Sequence, residues 1–124
     1  MEYSSEVVRR CDAPRRVGEL PRATPGLSSG EAEDRSLQVW VRFELQVQDG
    51  VIQTVRFEAF GCPHTVAAAD LTAERLEGQP VNAARRVDAK ELMRELEVPI
   101  EKLGKLLKIE DAAAACVSGT ATRT

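Results

Sequence analysis

Aromatic residues and long hydrophobic runs are scarce in this sequence. Aromatics make up 4% of the 124 residues, and no apolar run approaches the roughly 18 residues of a transmembrane helix. The amino terminus, MEYSSE, lacks the basic and apolar regions of a signal peptide. The 17 basic and 20 acidic residues are interspersed and give a net charge of −3. We therefore expect neither nucleic acid nor a membrane as a partner.

The residues on which metal sites and enzymes depend are also few. Three cysteines at positions 11, 62 and 116 are odd in number and widely spaced, which predicts neither a disulfide framework nor a C-x-x-C zinc site. This usage is typical of a reducing compartment, so we expect a cytoplasmic location. The only histidine is His64, and no paired carboxylates offer an acid and a base. We expect the protein not to be an enzyme.

Hydrophobic periodicity predicts one α+β domain over residues 1–124. Alternation predicts strands at 37–47 and 51–60, joined by a tight turn at Asp49 and Gly50. Residues 15–34 are rich in Gly, Pro and Ser and are predicted to be loop, with at most one short strand at 17–20. Helical spacing predicts helices at 4–11, 63–77, 81–86, 89–96 and 105–117. The expected fold is a small antiparallel sheet of about three strands with helices on one face, and a flexible tail at 118–124.

The junction between the second long strand and the helix at 63–77 holds the best site candidate. Gly61 permits a sharp bend, and Pro63 suits the first helical position, so Cys62 falls at the N-cap. Free backbone N–H groups and partial positive charge at that end favour a thiolate over a thiol. Cys62 is therefore the candidate reactive or metal-binding residue. The alternative is a small apolar residue in a bend.

The other notable residues have structural interpretations. Cys11 and Cys116 fall on apolar helical stripes, which predicts packed thiols. Trp40 lies on the polar face of its strand, where it packs under a loop or marks a contact surface. Glu31 and Asp34 belong to an acidic segment that we interpret as a solvated loop, with donation of a carboxylate to a metal as the alternative.

Several segments in a fixed order carry a resemblance to a known family. They are YSSEVV at 3–8, APRRVG at 13–18, DGVI at 49–52, VRFEAFGC at 55–62, VPIEK at 98–102 and EDA at 110–112. Together they resemble the U-type iron–sulfur cluster assembly scaffold family (NifU N-terminal, or IscU-like), with its N-P-R-N-V-G turn, F-G-C signature and L-P-P-V-K loop. The resemblance covers essentially the whole chain and implies an IscU-like fold.

The resemblance also implies a metal site, which this chain fills only in part. Family members use three cysteines and a nearby aspartate, and only Cys62 falls on a ligand position, so two of the three ligand cysteines are missing. SGE at 29–31 or DRS at 34–36 stands in place of C-G-D, and Gly104-Lys105 stands in place of H-C. The implied site is Cys62 with His64 and Glu31 as ligands, and with Asp34 as a further candidate. Lys105, at a helix start, is a candidate for stabilising the Cys62 thiolate.

The resemblance implies a role in iron–sulfur cluster assembly and leaves three functions open. One is a scaffold that binds iron or a 2Fe–2S cluster through the incomplete site, helped by the second Cys62 of a homodimer. Another is a persulfide carrier with a single cysteine, charged by a cysteine desulfurase. The third is an adaptor that binds no metal. Pro99 and Lys102 keep the proline and lysine of the family's chaperone-recognition loop, so a heat-shock chaperone is an implied partner besides the desulfurase.

Overall fold

The computed structural model describes residues 3–122, with side chains through Val117. Three antiparallel strands lie in the order β1-β2-β3, namely β1 (Leu27–Asp34), β2 (Val39–Gln48) and β3 (Val51–Phe60). The helices are α1 (Ser5–Asp12), α2 (Pro63–Leu76), α3 (Ala89–Leu96) and α4 (Leu103–Thr122), with short 3₁₀ turns at Val81–Arg85 and Ile100–Lys102. The α+β class and the three-stranded antiparallel sheet are as predicted.

The hairpin of β2 and β3 forms the centre of the core. Val41, Phe43 and Leu45 of β2 and Val55 and Phe57 of β3 are buried beneath the helices. The alternation of apolar and polar residues puts these side chains on one face, as the sequence predicts. A register shift between Gln46 and Val47 lets the hairpin close over the turn at 49–50. Leu37 differs from the prediction, because it precedes β2 in a turn and is exposed.

Residues 27–34 were predicted to be loop, and this prediction is wrong. They form β1, an edge strand paired along its length with β2. The strand has no large apolar alternation because α4 approaches it closely. A Cβ on Gly30 would lie 2.6 Å from the carbonyl oxygen of Ala112, and the Ser28 hydroxyl donates to the Cys116 carbonyl. Small residues on this face let the helix backbone take the place of side chains, so the usual strand signal is missing.

A buried ion pair joins α1 to α2. Arg10 is 4% exposed and Asp70 is 2% exposed, and an Nη of the arginine lies 2.6 Å from a carboxylate oxygen of the aspartate. Glu6 and Glu74 complete the shell around the guanidinium at 2.7 and 3.1 Å. The other Asp70 oxygen accepts from the backbone N–H of Arg15 at 3.0 Å. These contacts fix α1 along α2, with Ser4 as the N-cap of α1.

The outer face of the sheet is covered in part by the chain between α1 and β1. Glu44 lies on the polar face of β2 but is 1% exposed, because the segment around Leu20 passes over it. Its carboxylate accepts from the Leu20 N–H at 2.7 Å and pairs with Arg22 and Arg42, both at 2.6 Å. The predicted short strand at 17–20 is reduced to one bridge between Val17 and Phe57.

The last helix is longer than the prediction of 105–117. It begins at Leu103, directly after the 3₁₀ turn, and its backbone is helical through Thr122. The predicted flexible tail at 118–124 falls partly on this backbone, and residues 123 and 124 lie outside the described residues. None of the helices between residues 3 and 122 is long and apolar enough to cross a membrane.

Candidate functional site

The turn between β3 and α2 places Cys62 at the start of the helix, as the sequence predicts. Cys62 is the N-cap residue with an extended backbone, and Pro63 begins the helix. Gly61 leaves room for the next contact, because a Cβ there would lie 2.8 Å from the hydroxyl oxygen of Thr65. That hydroxyl is 3.7 Å from the Cys62 sulfur. The bend and the first helical turn therefore surround the thiol with hydrogen-bonding groups.

The surroundings of Cys62 favour its thiolate form. Burial acts to raise the pKa of Cys62, but hydrogen bonds from the backbone and hydroxyl of Thr65 and from the backbone of His64, with the charge of Lys105, outweigh it and hold the pKa below its ordinary value. The thiol is partly buried and therefore remains accessible from solvent. A partly exposed thiolate is the form that attacks sulfur or binds a soft metal.

His64 is fully buried next to the thiol. Its Nδ1 lies 4.0 Å from the Cys62 sulfur, at the outer limit of a hydrogen bond to sulfur. The Tyr3 ring packs against the imidazole with centroids 4.8 Å apart. Burial lowers the pKa of His64, and the charges of Lys102 and Lys105 lower it further, so the imidazole is neutral near pH 7. A neutral imidazole keeps a lone pair that a metal can use, and Nε2 has no partner among the described residues.

Two lysines on the segment before and at the start of α4 add positive charge to this site. Lys105 lies in the first turn of α4, and its charge acts on both Cys62 and His64. Lys102 ends the 3₁₀ turn that begins after Pro99, and its N–H donates to the Pro99 carbonyl at 2.9 Å. Ile100, which lies between Pro99 and Lys102, is 66% exposed. The loop predicted to bind a partner therefore lies beside the thiol site.

The two candidate carboxylates on β1 are engaged with their own neighbours. Glu31 faces the outer side of the sheet and accepts from Trp40 Nε1 at 2.8 Å. Asp34 ends β1 and accepts from the Ser36 hydroxyl at 2.7 Å and from the Leu37 N–H at 3.1 Å. The hydrogen bond from the Ser36 hydroxyl, and after it the bond from the Leu37 N–H, hold the pKa of Asp34 below its ordinary value. Asp34 therefore stabilises the turn between β1 and β2.

A complete metal-ligand set is not formed within the described part of the chain. Among residues 3–117, no three His, Cys, Asp or Glu side chains lie together in a way that could hold a metal ion. The donors brought together are the Cys62 sulfur and the His64 imidazole nitrogen, whereas an ordinary iron–sulfur cluster uses about four ligands, mostly thiolates. The site can present a nucleophilic sulfur or part of a ligand set.

The remaining cysteines fit the packed positions predicted for them. Cys116 is buried in α4 against the sheet, and burial raises the pKa of its thiol to about 12. Cys11 on α1 is partly buried, and burial first, then the charges of Asp12 and Cys62, raise its pKa. Of the three thiols, only Cys62 has a pKa shifted toward reactivity.

Comparison with known proteins supplies the family. The profile of the family described as NifU-like N terminal domain matches residues 2–124. This chain belongs to that family. It is 30% identical over 117 residues to the mitochondrial iron sulfur cluster assembly protein 1 of Kluyveromyces lactis, covering 93% of this chain and 65% of that protein. It is 29% identical over 119 residues to the iron–sulfur cluster assembly scaffold protein IscU of Rickettsia prowazekii, covering 95% of this chain and 91% of that protein.

Solved structures agree with the NifU-like fold. The NifU-like protein (N-terminal) from Brucella abortus superposes with a TM-score of 0.72 and 17% identity, covering 98% of this chain and 95% of that one. At this identity the likeness concerns the fold alone. The resemblance noted in the sequence is therefore confirmed for the family and for the fold.

Within this NifU-like domain, two residues that shape the site were not predicted from the sequence. Thr65 lies three positions after the N-cap, a spacing from which a side chain can reach back to the cap residue. Its contact with Cys62 could therefore have been predicted from the sequence. Tyr3, just before α1, packs against the imidazole, and no local pattern connects it to a histidine 61 positions later. His64 itself is 0% exposed, with the Tyr3 ring packed against it.

Proposed function

We propose that this chain takes part in iron–sulfur cluster assembly as a scaffold-type protein, and that Cys62 is the thiolate through which it receives iron or sulfur. The supporting observation is the partly exposed Cys62 thiol at the N-cap of α2, with its pKa held low by Thr65, His64 and Lys105. Membership of the NifU-like family, and relatives described as assembly scaffold proteins, support the same role.

The incomplete ligand set determines how such a scaffold would work. Cys62 and His64 supply one sulfur and one nitrogen. Further ligands for a 2Fe–2S cluster would come from a second copy of the chain or from the partner protein, because Glu31 and Asp34 are engaged in hydrogen bonds with their own neighbours. In a homodimer two such half-sites would provide two sulfur and two nitrogen donors. The cluster is cargo that is built and passed on, so weak or shared ligation suits the role.

Sulfur transfer is the second candidate, and the properties of Cys62 alone are sufficient for it. The thiolate would attack the outer sulfur of a cysteine persulfide on the desulfurase. A new sulfur–sulfur bond would form at Cys62 while the donor bond breaks, and the donor cysteine would leave as a thiolate. The charge of Lys105 would then stabilise the anionic persulfide on Cys62. This candidate requires no further ligand from the chain.

We expect partners from the assembly machinery to bind near this site. The loop with Pro99 and Lys102 lies beside His64 and exposes Ile100, which suits recognition by a chaperone. A cysteine desulfurase would dock at the Cys62 end of α2. We expect no catalytic turnover by the chain itself, and we propose the cytoplasm as its location.

Anaerobic reconstitution tests the proposal. The wild type, Cys62→Ser and the matched control Cys11→Ser would be incubated with ferrous iron, sulfide and a cysteine desulfurase with its substrate. Visible absorption and bound iron and sulfide would be measured after desalting. We expect the wild type and Cys11→Ser to retain iron with sulfide, or sulfur alone, and Cys62→Ser to retain neither. Equal retention by Cys62→Ser would contradict the proposal.

A further inference from the structure

A basic pocket far from Cys62 is not used by the proposed function. It has a volume of about 340 Å³ and lies between the segment after α1, the strand β3 and the residue that ends α2. That residue, Glu77, is fifteen positions along α2 from Cys62, which at 1.5 Å per residue is about 22 Å. The pocket is lined by polar residues alone, namely Arg15, Arg16, Gln53, Thr54, Arg56 and Glu77.

Backbone contacts fix the positions from which the three arginines extend. The Arg15 N–H donates to the Asp70 carboxylate at 3.0 Å. The Arg16 carbonyl accepts from the Phe57 N–H at 2.9 Å, which holds this segment along the edge of β3. Arg56 lies within β3 itself. An ion that binds between these side chains therefore does not have to order the backbone first.

The pocket carries more positive than negative charge. Arg16 lies 3.0 Å from one carboxylate oxygen of Glu77 and Arg56 lies 3.8 Å from the other, so two guanidinium groups share one carboxylate. The carboxyl end of α2 adds a partial negative charge of about half a unit. Three full positive charges exceed these two contributions, and the excess attracts an anion.

Arg15 is the least compensated of the three arginines. Its side chain is exposed, and no carboxylate among the described side chains lies within ion-pair distance of it. On α2, Asp70 and Glu74 are already paired with Arg10 at 2.6 and 3.1 Å. Glu44, the β2 residue opposite the arginine of β3, is held by two other arginines at 2.6 Å. The guanidinium of Arg15 therefore remains available to a ligand.

We propose that this pocket binds a phosphate group, either as the free ion or at the end of a small molecule. A guanidinium can donate two parallel N–H bonds to an oxyanion, and three of them suit an anion with several oxygens and about two negative charges. A carboxylate has two oxygens and one charge, and it would leave part of the positive charge uncompensated. The Thr54 hydroxyl and the Gln53 amide add neutral donors. The site does not depend on Cys62, so its test is separate from that of cluster assembly.

Titration with sodium phosphate tests the site. Backbone amide shifts of the full chain would be followed by NMR at neutral pH, with the ionic strength held constant by sodium chloride. We expect saturable shifts centred on residues 15–18, 53–57 and 77–79, in the wild type and in Cys62→Ser alike. Phenyl phosphate distinguishes the source of the group. Equal binding of phenyl phosphate supports a site for the end of a larger molecule, and its exclusion supports a site for the free ion.

Substitutions of single arginines identify the contacts. Arg15→Gln and Arg56→Gln should each weaken phosphate binding about three- to tenfold, because each removes one charge-assisted partner of the anion. Arg15→Gln should leave the fold intact, since the N–H bond to Asp70 belongs to the backbone and is retained. Arg94→Gln is the matched control. Arg94 is exposed on α3, forms no ion pair among the described side chains and does not line the pocket.

Three results would overturn the proposal. One is the absence of saturable shifts at the pocket up to about 10 mM phosphate, a concentration that detects even millimolar affinity. Another is equal weakening of binding by Arg15→Gln and Arg94→Gln, which would indicate general attraction of anions to the surface. The third is binding of a hexaglutamate peptide at the pocket without binding of phosphate, which would indicate an acidic protein segment as the ligand.

Discussion

At the scale of single residues, Cys62 differs from the other two cysteines in its surroundings and not in its chemistry. Cys62 lies at the N-cap of a helix, with the Thr65 hydroxyl 3.7 Å from its sulfur and a lowered pKa, while Cys11 and Cys116 lie on helical faces where burial opposes ionisation. The position at a helix start could be predicted from Gly61 and Pro63. The burial of His64 could not, because it depends on Tyr3 and the packing of α1.

This contrast predicts the order in which the thiols react. With iodoacetamide at neutral pH, Cys62 should be alkylated first, Cys11 more slowly, and Cys116 only on unfolding, as followed by peptide mass spectrometry. The rate against pH for Cys62 should have its midpoint below the ordinary thiol value of 9.0, because its pKa is lowered.

Thr65→Val and Lys105→Met should each move that midpoint upward, since each removes a group that stabilises the thiolate. Lys108→Met serves as the control, because its charge acts on Asp34 and forms a pair with Asp111. An unchanged midpoint in both test variants would contradict the account of Cys62.

The raised pKa of Cys116 leads us to predict that the protein loses folding stability in alkali. Its folded pKa is raised to about 12 from 9.0, so as pH rises past the ordinary value the unfolded state ionises while the native state does not. The stability that follows from the raised pKa of Cys116 is fully present below the ordinary thiol pKa of 9.0, and it is lost as the pH rises toward the folded pKa. The free energy of unfolding in urea should therefore fall more steeply between pH 8 and about pH 10 in the wild type than in Cys116→Ala. Parallel slopes for the two proteins would contradict this.

At the scale of elements, the sequence predicts best those that carry their own periodicity. The strands β2 and β3, the helix α2 after Pro63, and α3 with its Asp88 cap agree with the predictions to within about two residues. The strand β1 was missed, because its inner face is shaped by the backbone of α4 and not by its own hydrophobicity. Contacts between elements distant in sequence were the part that local patterns could not supply.

The close approach of β1 and α4 can be tested at Gly30. In Gly30→Ala the added Cβ would lie 2.6 Å from the carbonyl oxygen of Ala112, and backbone cannot yield as a side chain can. We expect a loss of about 1–3 kcal/mol in urea unfolding, since overpacking outweighs the gain of roughly 0.5–1 kcal/mol from replacing glycine in a strand. Ser29→Ala, on the exposed face of the same strand, should change stability by less than about 0.5 kcal/mol. Similar effects of the two substitutions would argue against the close packing.

The joint between α1 and α2 depends on the buried pair of Arg10 and Asp70. Asp70→Ala should destabilise the fold by about 3 kcal/mol, because it leaves Arg10 with less compensation in a buried position and removes the acceptor of the Arg15 N–H. Glu74→Ala removes a more exposed partner of the same guanidinium and should cost less than about 1 kcal/mol. Equal losses in the two variants, measured by urea unfolding, would contradict the unequal roles.

At the scale of the whole molecule, a NifU-like fold is combined with an incomplete ligand set. The fold and the family could be predicted because their motifs extend along the whole chain. The extent of the site could not, since it depends on which side chains come together. Cys62 and His64 do so, whereas Glu31 and Asp34 bond to their own neighbours. Under the proposed function, the chain would contribute the Cys62 sulfur and one further donor to assembly, and shared ligands would complete any cluster.

Anaerobic native mass spectrometry tests this central claim most directly. The protein is first incubated with iron, sulfide and a cysteine desulfurase that carries a persulfide. One spectrum then gives the number of chains in each complex and the mass bound to them. We predict adducts on the wild type and on Cys11→Ser, either iron with sulfide on a complex of two chains or about 32 Da of sulfur on one chain. Cys62→Ser should show none. A cluster of full stoichiometry on a single chain, or the same adducts on Cys62→Ser, would contradict the account.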